Sequence, residues 1–364
     1  DSANENYRVS DFPDVFAAER FAVPQGELKR DGWQLEPPLK RQLLARVRKA
    51  GQPLIDYVNR QLYYGIKTGL NEAFVISREQ RDALIAEDKS SADVLKPYLR
   101  GRDVKRWHAE PQDLWLIFLP WHFPLQDTEN VSGASVQAEK QFQQTYPAIY
   151  RHLLAYKSEL SARDKSEIGV RYEWYALARH REYWREFLRP KIIFPAIQNE
   201  VSYAADLDGH FGNDKTNIIV SENWRYVLTV LNSAVSWWIT RELFASKQGG
   251  YFEFKPMYVS AIPVPSITGS QRELIDPLVT SVLQGISRPE FERLLNGLVY
   301  ELFFPEDLHA KNIRLFDACT AAGIKDGMDA QAKATEIFHP RHPIYGQLFE
   351  LQTLEVVRLI EGDA

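Results

Sequence analysis

Three stretches of the chain bring cations and aromatic rings together at spacings suited to holding a polyanion. In "LKPYLRGRDVKRW", residues 95–107, Lys96, Arg100, Arg102, Lys105 and Arg106 stand against Asp103 alone, with Tyr98 and Trp107 between them. Cations serve phosphate contacts and rings serve stacking on bases or sugars, though the same composition also describes a solvated charged turn. Gly101 favours a tight turn that presents Arg100 and Arg102 in different directions. In "RYEWYALARHREYWREFLRPK", residues 171–191, six basic residues alternate with Tyr172, Trp174, Tyr175, Tyr183 and Trp184. Large aromatics dominate core burial, and Glu173, Glu182 and Glu186 offer partners to the arginines, so this stripe reads more readily as core than as a ligand platform. In "SKQGGYFEFKP", residues 246–256, Lys247, Gln248, Tyr251 and Lys255 surround paired glycines. Glutamine can pair with adenine through two hydrogen bonds, and lysine suits guanine or phosphate. Gly249-Gly250 also fits a helix C-cap leading into a strand, and the two readings are compatible.

A fourth stretch, "YYGIKTGLNEAFVI" at 63–76, raises the question of a phosphate-binding loop. That loop needs glycines one and six positions before its lysine, so that successive backbone N–H groups curl around the phosphates. Lys67-Thr68 is preceded at those positions by Ile66 and Gln61, and no G-x-G-x-x-G fingerprint occurs elsewhere. The stretch is therefore a turn between a Tyr-rich segment and a short strand, Ala73 to Ile76.

Catalytic signatures are weak throughout. Pro13-Asp14 followed by Glu27-Leu28-Lys29 has the order of a PD…ExK nuclease motif, in which Asp and Glu hold Mg²⁺ and Lys orients water. The intervening residues give no strand pair, and such short patterns arise by chance. His339 and His342 lack a matching Cys or His pair, Cys319 is the sole cysteine, and there is no G-x-S-x-G elbow. No catalytic or metal-binding residue is assigned.

The elements that must position these groups follow from pattern. Residues 1–60, punctuated by Pro13, Pro24, Pro37, Pro38 and Pro53, read as a connector with a basic amphipathic helix at Leu39–Ala50. Residues 61–265 hold short apolar runs, notably "LWLIFL" at 114–119 and "KIIFPAI" at 191–197. With them come runs at 201–206 and 217–220, separated by turn-forming "DLDGHFGNDKTN". Helical periodicity interleaves at 78–87, 136–160 and 224–245, and takes over after "AIPVPS" at 271–284, 289–303 and 345–360. The expectation is an α+β protein, with a mixed-sheet domain followed by a mostly helical region at 266–364.

Among 364 residues the net charge is −5, which argues against a simple nucleic-acid binder but is unevenly spread. From Gln271 onward nine Lys and Arg face fifteen Asp and Glu, so an acidic tail masks a near-neutral front portion with basic clusters. No apolar run is long enough to cross a membrane and no signal-peptide pattern opens the chain. One cysteine suits a reducing compartment, so a cytoplasmic location is expected. The opening "DSANEN" lacks an initiator Met, and the chain is expected to be a segment of something longer.

Taken in order, "YYGIKTGLNEAFVI", "LKPYLRGRDVKRW", "RPKIIFPAI" and "GGYFEFKPMYVSAIPVP" resemble the C-terminal specificity domain of TaqI-like adenine-specific DNA methyltransferases. That family includes type II restriction–modification enzymes, and the resemblance spans roughly residues 20 to 305, "RELIDPLVTSVL" and "LLNGLVYELFF" included. It implies a target-recognition module that binds double-stranded DNA. Lys67, Thr68 and Asn71 would supply donors to a strand, the basic cluster would position the duplex, and Gln248, Tyr251 and Lys255 would reach base edges. The family's N/D-P-P-Y/F motif and its glycine-rich loop for S-adenosylmethionine are absent from this sequence. The resemblance thus assigns methyl transfer and its cofactor to a methyltransferase portion of the same parent polypeptide, outside this chain. Two other readings stay open on the residues alone: a protein-interaction scaffold docking a partner through its acidic helical tail, and an endonuclease resting on Asp14, Glu27 and Lys29.

Overall fold

The strand Lys191–Pro195 is buried along its whole length, and its alternating side chains serve two different cores. Ile192 and Phe194 enter a helical core, while Ile193 enters an aromatic-rich one on the opposite face. Its neighbour Thr216–Ile219 repeats the division, with Ile219 paired to Ile192 on the first face and Ile218 paired to Ile193 on the second. A strand covered on both faces reads as a continuous apolar run, which is why "KIIFP" shows no alternation. The antiparallel sheet completed by Leu62–Tyr64 and Ala204–Asp206 is the wall between the two cores. A computed structural model describes residues 12–20, 38–127, 133–163 and 171–362.

On the aromatic side lies a second four-stranded sheet in the order Val75–Ser77, Leu114–Ile117, Leu95–Leu99, Phe211–Gly212, with the last pair parallel. Helix Arg78–Glu87 starts at a capping box in which Ser77 and Gln80 satisfy each other's backbone N–H. The expected helix at 136–160 is three, Val136–Thr145, Pro147–Leu154 and Lys157–Ala162; at the first break Pro147 cannot continue one helix and opens the next. Trp174 and Tyr175 of the aromatic stripe are buried here. Tyr175 lies 4.5 Å from Phe142 between ring centroids, and Trp174 Nε1 donates to Glu139 at 2.7 Å.

The helical core draws on both ends of the chain. Helix Pro38–Ala50 inserts Leu43 and Val47. Helices Gly269–Leu283, Arg288–Phe303, Leu315–Ala321, Pro343–Leu351 and Glu355–Glu361 contribute much of it, with Cys319 buried inside. The segment expected as one helix at 224–245 is two, Trp224–Leu231 and Ala234–Leu243. At the break, the Asn232 carboxamide donates to the Tyr203 carbonyl at 3.0 Å and Ser233 caps the second helix. "AIPVPS" is more than punctuation, since Pro263–Pro265 pairs with Gly51–Pro53 as a two-stranded ribbon. The class is α+β, as the pattern of runs implied. Among the described residues no helix is long and apolar enough to cross a membrane.

Two local expectations are corrected. Ala73 and Phe74 belong to a helical turn, Asn71–Phe74, and the strand starts only at Val75. Gly249-Gly250 is not a helix C-cap, because the helix ends at Leu243. Both glycines have positive φ and form the turn of a hairpin between Ser246–Lys247 and Tyr251–Glu253.

Candidate nucleic-acid interface

A cleft of about 710 Å³ opens where the turn after strand Leu95–Leu99, the loop following Pro195, the Asn213–Lys215 turn and the glycine hairpin converge. Arg100, Arg102 and Lys105 line it from the first basic cluster, Asn71 from the glycine-flanked stretch, and Tyr251 from the hairpin. Residues remote in sequence thus meet on one surface.

Their charges are not equally available. Arg100 forks onto the buried Asp103, with Nε to Oδ2 at 3.0 Å and Nη2 to Oδ1 at 2.9 Å, and this hydrogen bonding raises its guanidinium pKa. It braces the Gly101–Asp103 turn more than it serves a ligand. Arg102 and Lys105 are exposed, and among the described residues no ion pair engages either. Tyr251, 40% exposed, lines the same space.

Three residues of the sequence reading are turned inward. Thr68 is buried, its hydroxyl donating to Asn71 Oδ1 at 2.7 Å. Lys96 donates to the Asp93 carbonyl at 2.8 Å, and burial lowers its pKa. Arg106 pairs with Glu292 at 2.8 Å and donates to the Asn232 carbonyl at 2.8 Å, while burial lowers its pKa. It is a strut between the sheet region and the helices. Three others are exposed without lining the cleft. Lys67 pairs through its backbone with Arg179. Gln248 sits in the hairpin turn. Lys255 shares Glu253 with Lys247, at 2.9 and 3.0 Å, which raises the Lys255 pKa and lowers that of Glu253.

The sequence reading missed Asn199, Glu200, Asn213 and Lys215, which also line the cleft. Asn213 and Lys215 sit in "GNDKTN", legible as a turn but not as a site. Carboxamides in "QNE" carry no spacing signal at all.

The second basic stretch is mostly braced. Arg181 Nε donates to the Gly65 carbonyl at 3.1 Å, and Arg189 pairs with Glu186 at 2.8 Å. Asp206, Asp208 and His210 bring ligand atoms within 4.8 Å of one another. Asp206, however, already takes the buried ammonium of Lys191 and the His210 ring at 2.9 Å. Burial acting alone would raise its pKa, but these partners outweigh it and the carboxyl is lowered. An ammonium in this position opposes a cation, so the group reads as an internal ion-pair anchor. Asp14 is exposed on helix Phe12–Glu19, while Glu27 and Lys29 of the nuclease pattern lie outside the described residues.

A family model, the TaqI-like C-terminal specificity domain, matches residues 96–264. The resemblance holds across that segment. It takes in nearly all of the first basic cluster, the wall strand and the glycine hairpin, while the 63–76 stretch and the later helices fall outside it. No curated protein matches the chain. Among solved structures, one of the Type IIL restriction-modification enzyme MmeI in complex with DNA aligns over 81% of this chain and 36% of that one, with TM-score 0.42 and 9% identity. This chain therefore spans about a third of that enzyme's length.

Proposed function

We propose that this chain is the DNA target-recognition module of a larger restriction–modification methyltransferase. One observation carries the reading. Within and beside a segment that matches a specificity domain, exposed cations, carboxamides and an aromatic ring from separate loops line a single cleft. Arg102, Lys105 and Lys215 suit phosphate contacts that set register. Asn71, Asn199 and Asn213 bring carboxamides, whose donor and acceptor sides suit base edges; Asn71 Oδ1 already accepts from Thr68 and Asn213 Oδ1 from the Lys215 N–H, so the NH2 side is what these two offer a base. Tyr251 suits stacking or an apolar contact with a thymine methyl.

In the parent enzyme, transfer of a methyl group from S-adenosylmethionine to an adenine amine falls to a portion outside this chain. The module's part is to grip the duplex while the target base leaves the stack. A cytoplasmic setting suits the one buried thiol. The reading is tested by binding the chain to a random duplex library at moderate salt and sequencing the bound fraction. An enriched motif is the expected result; binding without enrichment, or none at all, counts against it.

A further inference from the structure

A second groove, of about 730 Å³, adjoins the cleft and shares Lys105 and Glu200 with it as walls. Its far side is the first part of helix Arg288–Phe303, beyond the segment that matches the specificity domain. The charges lining it are Lys105, Arg106, Arg288 and Arg293 against Glu200 and Glu292. Glu292 is shared by two guanidiniums, Arg106 at 2.8 Å and Arg288 at 2.7 Å, and Arg288 also donates to the Arg106 carbonyl at 2.7 Å. These two arginines are fixed in place and leave a positive surplus. Lys105 and Arg293 are exposed; Arg293 lies 5.8 Å from the Tyr345 ring centroid, and among the described residues no ion pair engages it. The surplus is notable for its setting, because the chain from Gln271 onward is acidic in sum. A basic lining within an acidic region, continuous with the cleft, marks a track for a polyanion.

We infer that the duplex runs out of the recognition cleft along this groove, and that the helical region holds its backbone through Arg293, with Lys105 at the junction. This rests on the DNA-recognition reading and extends the contact surface beyond the specificity domain. Such contacts are to phosphate, so they add affinity and salt dependence without sequence preference.

The test uses the full chain and fluorescence anisotropy on a long random-sequence duplex across a salt series. It compares wild type, Arg293→Glu, Arg293→Lys and, as a cleft control, Arg102→Ala. Arg293→Glu is expected to weaken binding about tenfold or more and to lower the log–log salt slope by about one or more. Arg293→Lys should restore most of the loss, and thermal melts should be unchanged because the side chain is exposed. If Arg293→Glu binds like wild type while Arg102→Ala is weakened, the groove is off the DNA path and this inference fails, with the recognition reading intact. If wild type binds no duplex, both fail. If polyglutamate competes as well as DNA, the groove belongs to an acidic protein partner and the inference is likewise overturned.

Discussion

Gly65 and Asn213 meet backbone to backbone, Ile66 forming a parallel bridge to Asn213 while Gly65 has no room for a side chain. A Cβ on Gly65 would overlap the Asn213 carbonyl. The glycine in "YYGIKTG" is thus required by a close approach between two loops, one leading to Asn71 and the other carrying Asn213 and Lys215 into the cleft. Gly65→Ala is expected to cost about 1–3 kcal/mol through forced backbone movement. It should also weaken DNA binding by displacing Asn213. A thermal melt identical to wild type would show that the loop yields freely.

Glu253 pairs with Lys247 and Lys255 at once. Replacing it with glutamine leaves both ammonium groups uncompensated on an exposed hairpin. Non-specific DNA affinity should rise and the salt slope steepen. A gel-shift series showing no change would place the hairpin away from the phosphates.

Arg102→Ala and Lys105→Ala should each weaken binding and lower the salt slope by about one. Arg100→Ala should instead act chiefly on the fold, because its partner Asp103 is buried and would lose its counter-charge. Comparing denaturation midpoints with binding constants across the three variants separates these outcomes.

Lys191 is fully buried, and Asp206 is the carboxylate that holds it. Burial depresses the Lys191 pKa, with Asp206 acting in the opposite sense. Asp206→Asn leaves an uncompensated ammonium in the wall sheet and should cost about 3–5 kcal/mol. Adding Lys191→Met should recover much of the loss, and urea midpoints of the single and double variants would show it.

His180 supplies a pH dependence. Burial, and then the neighbouring His122 and Arg181, lower its pKa from 6.5 to about 4. The unfolded chain therefore takes up a proton as pH falls through 6.5, whereas the folded chain does so only near 4. Stability is full above that window, declines as pH falls across it, and levels off below, by up to about 3 kcal/mol. His180→Gln keeps an acceptor for the Trp121 N–H and should flatten this limb in urea melts across the window. An unchanged limb would assign it to another group.

Much of the architecture was legible because burial and turn chemistry are written locally. The doubly buried strand showed as "KIIFP", and the motifs from 95 to 265 marked the segment that matches a specificity domain. Helix breaks were less legible. The interruption at Asn232 depends on a hydrogen bond to Tyr203, a partner no local pattern names.

The sequence alone was enough for the α+β class, the basic stretches and the family they resemble, since propensity, periodicity and composition are properties of neighbours along the chain. It could not tell which cations are free. Arg106 and Lys105 look alike in "DVKRW", yet folding brings Glu292 from a distant helix against one and leaves the other at the junction of cleft and groove. Nor could it show Asn199, Asn213 and Tyr251 lining one cleft. Charge pairing and cleft lining are set by distances through space, and those exist only once the wall sheet has drawn its strands together from both sides of the chain.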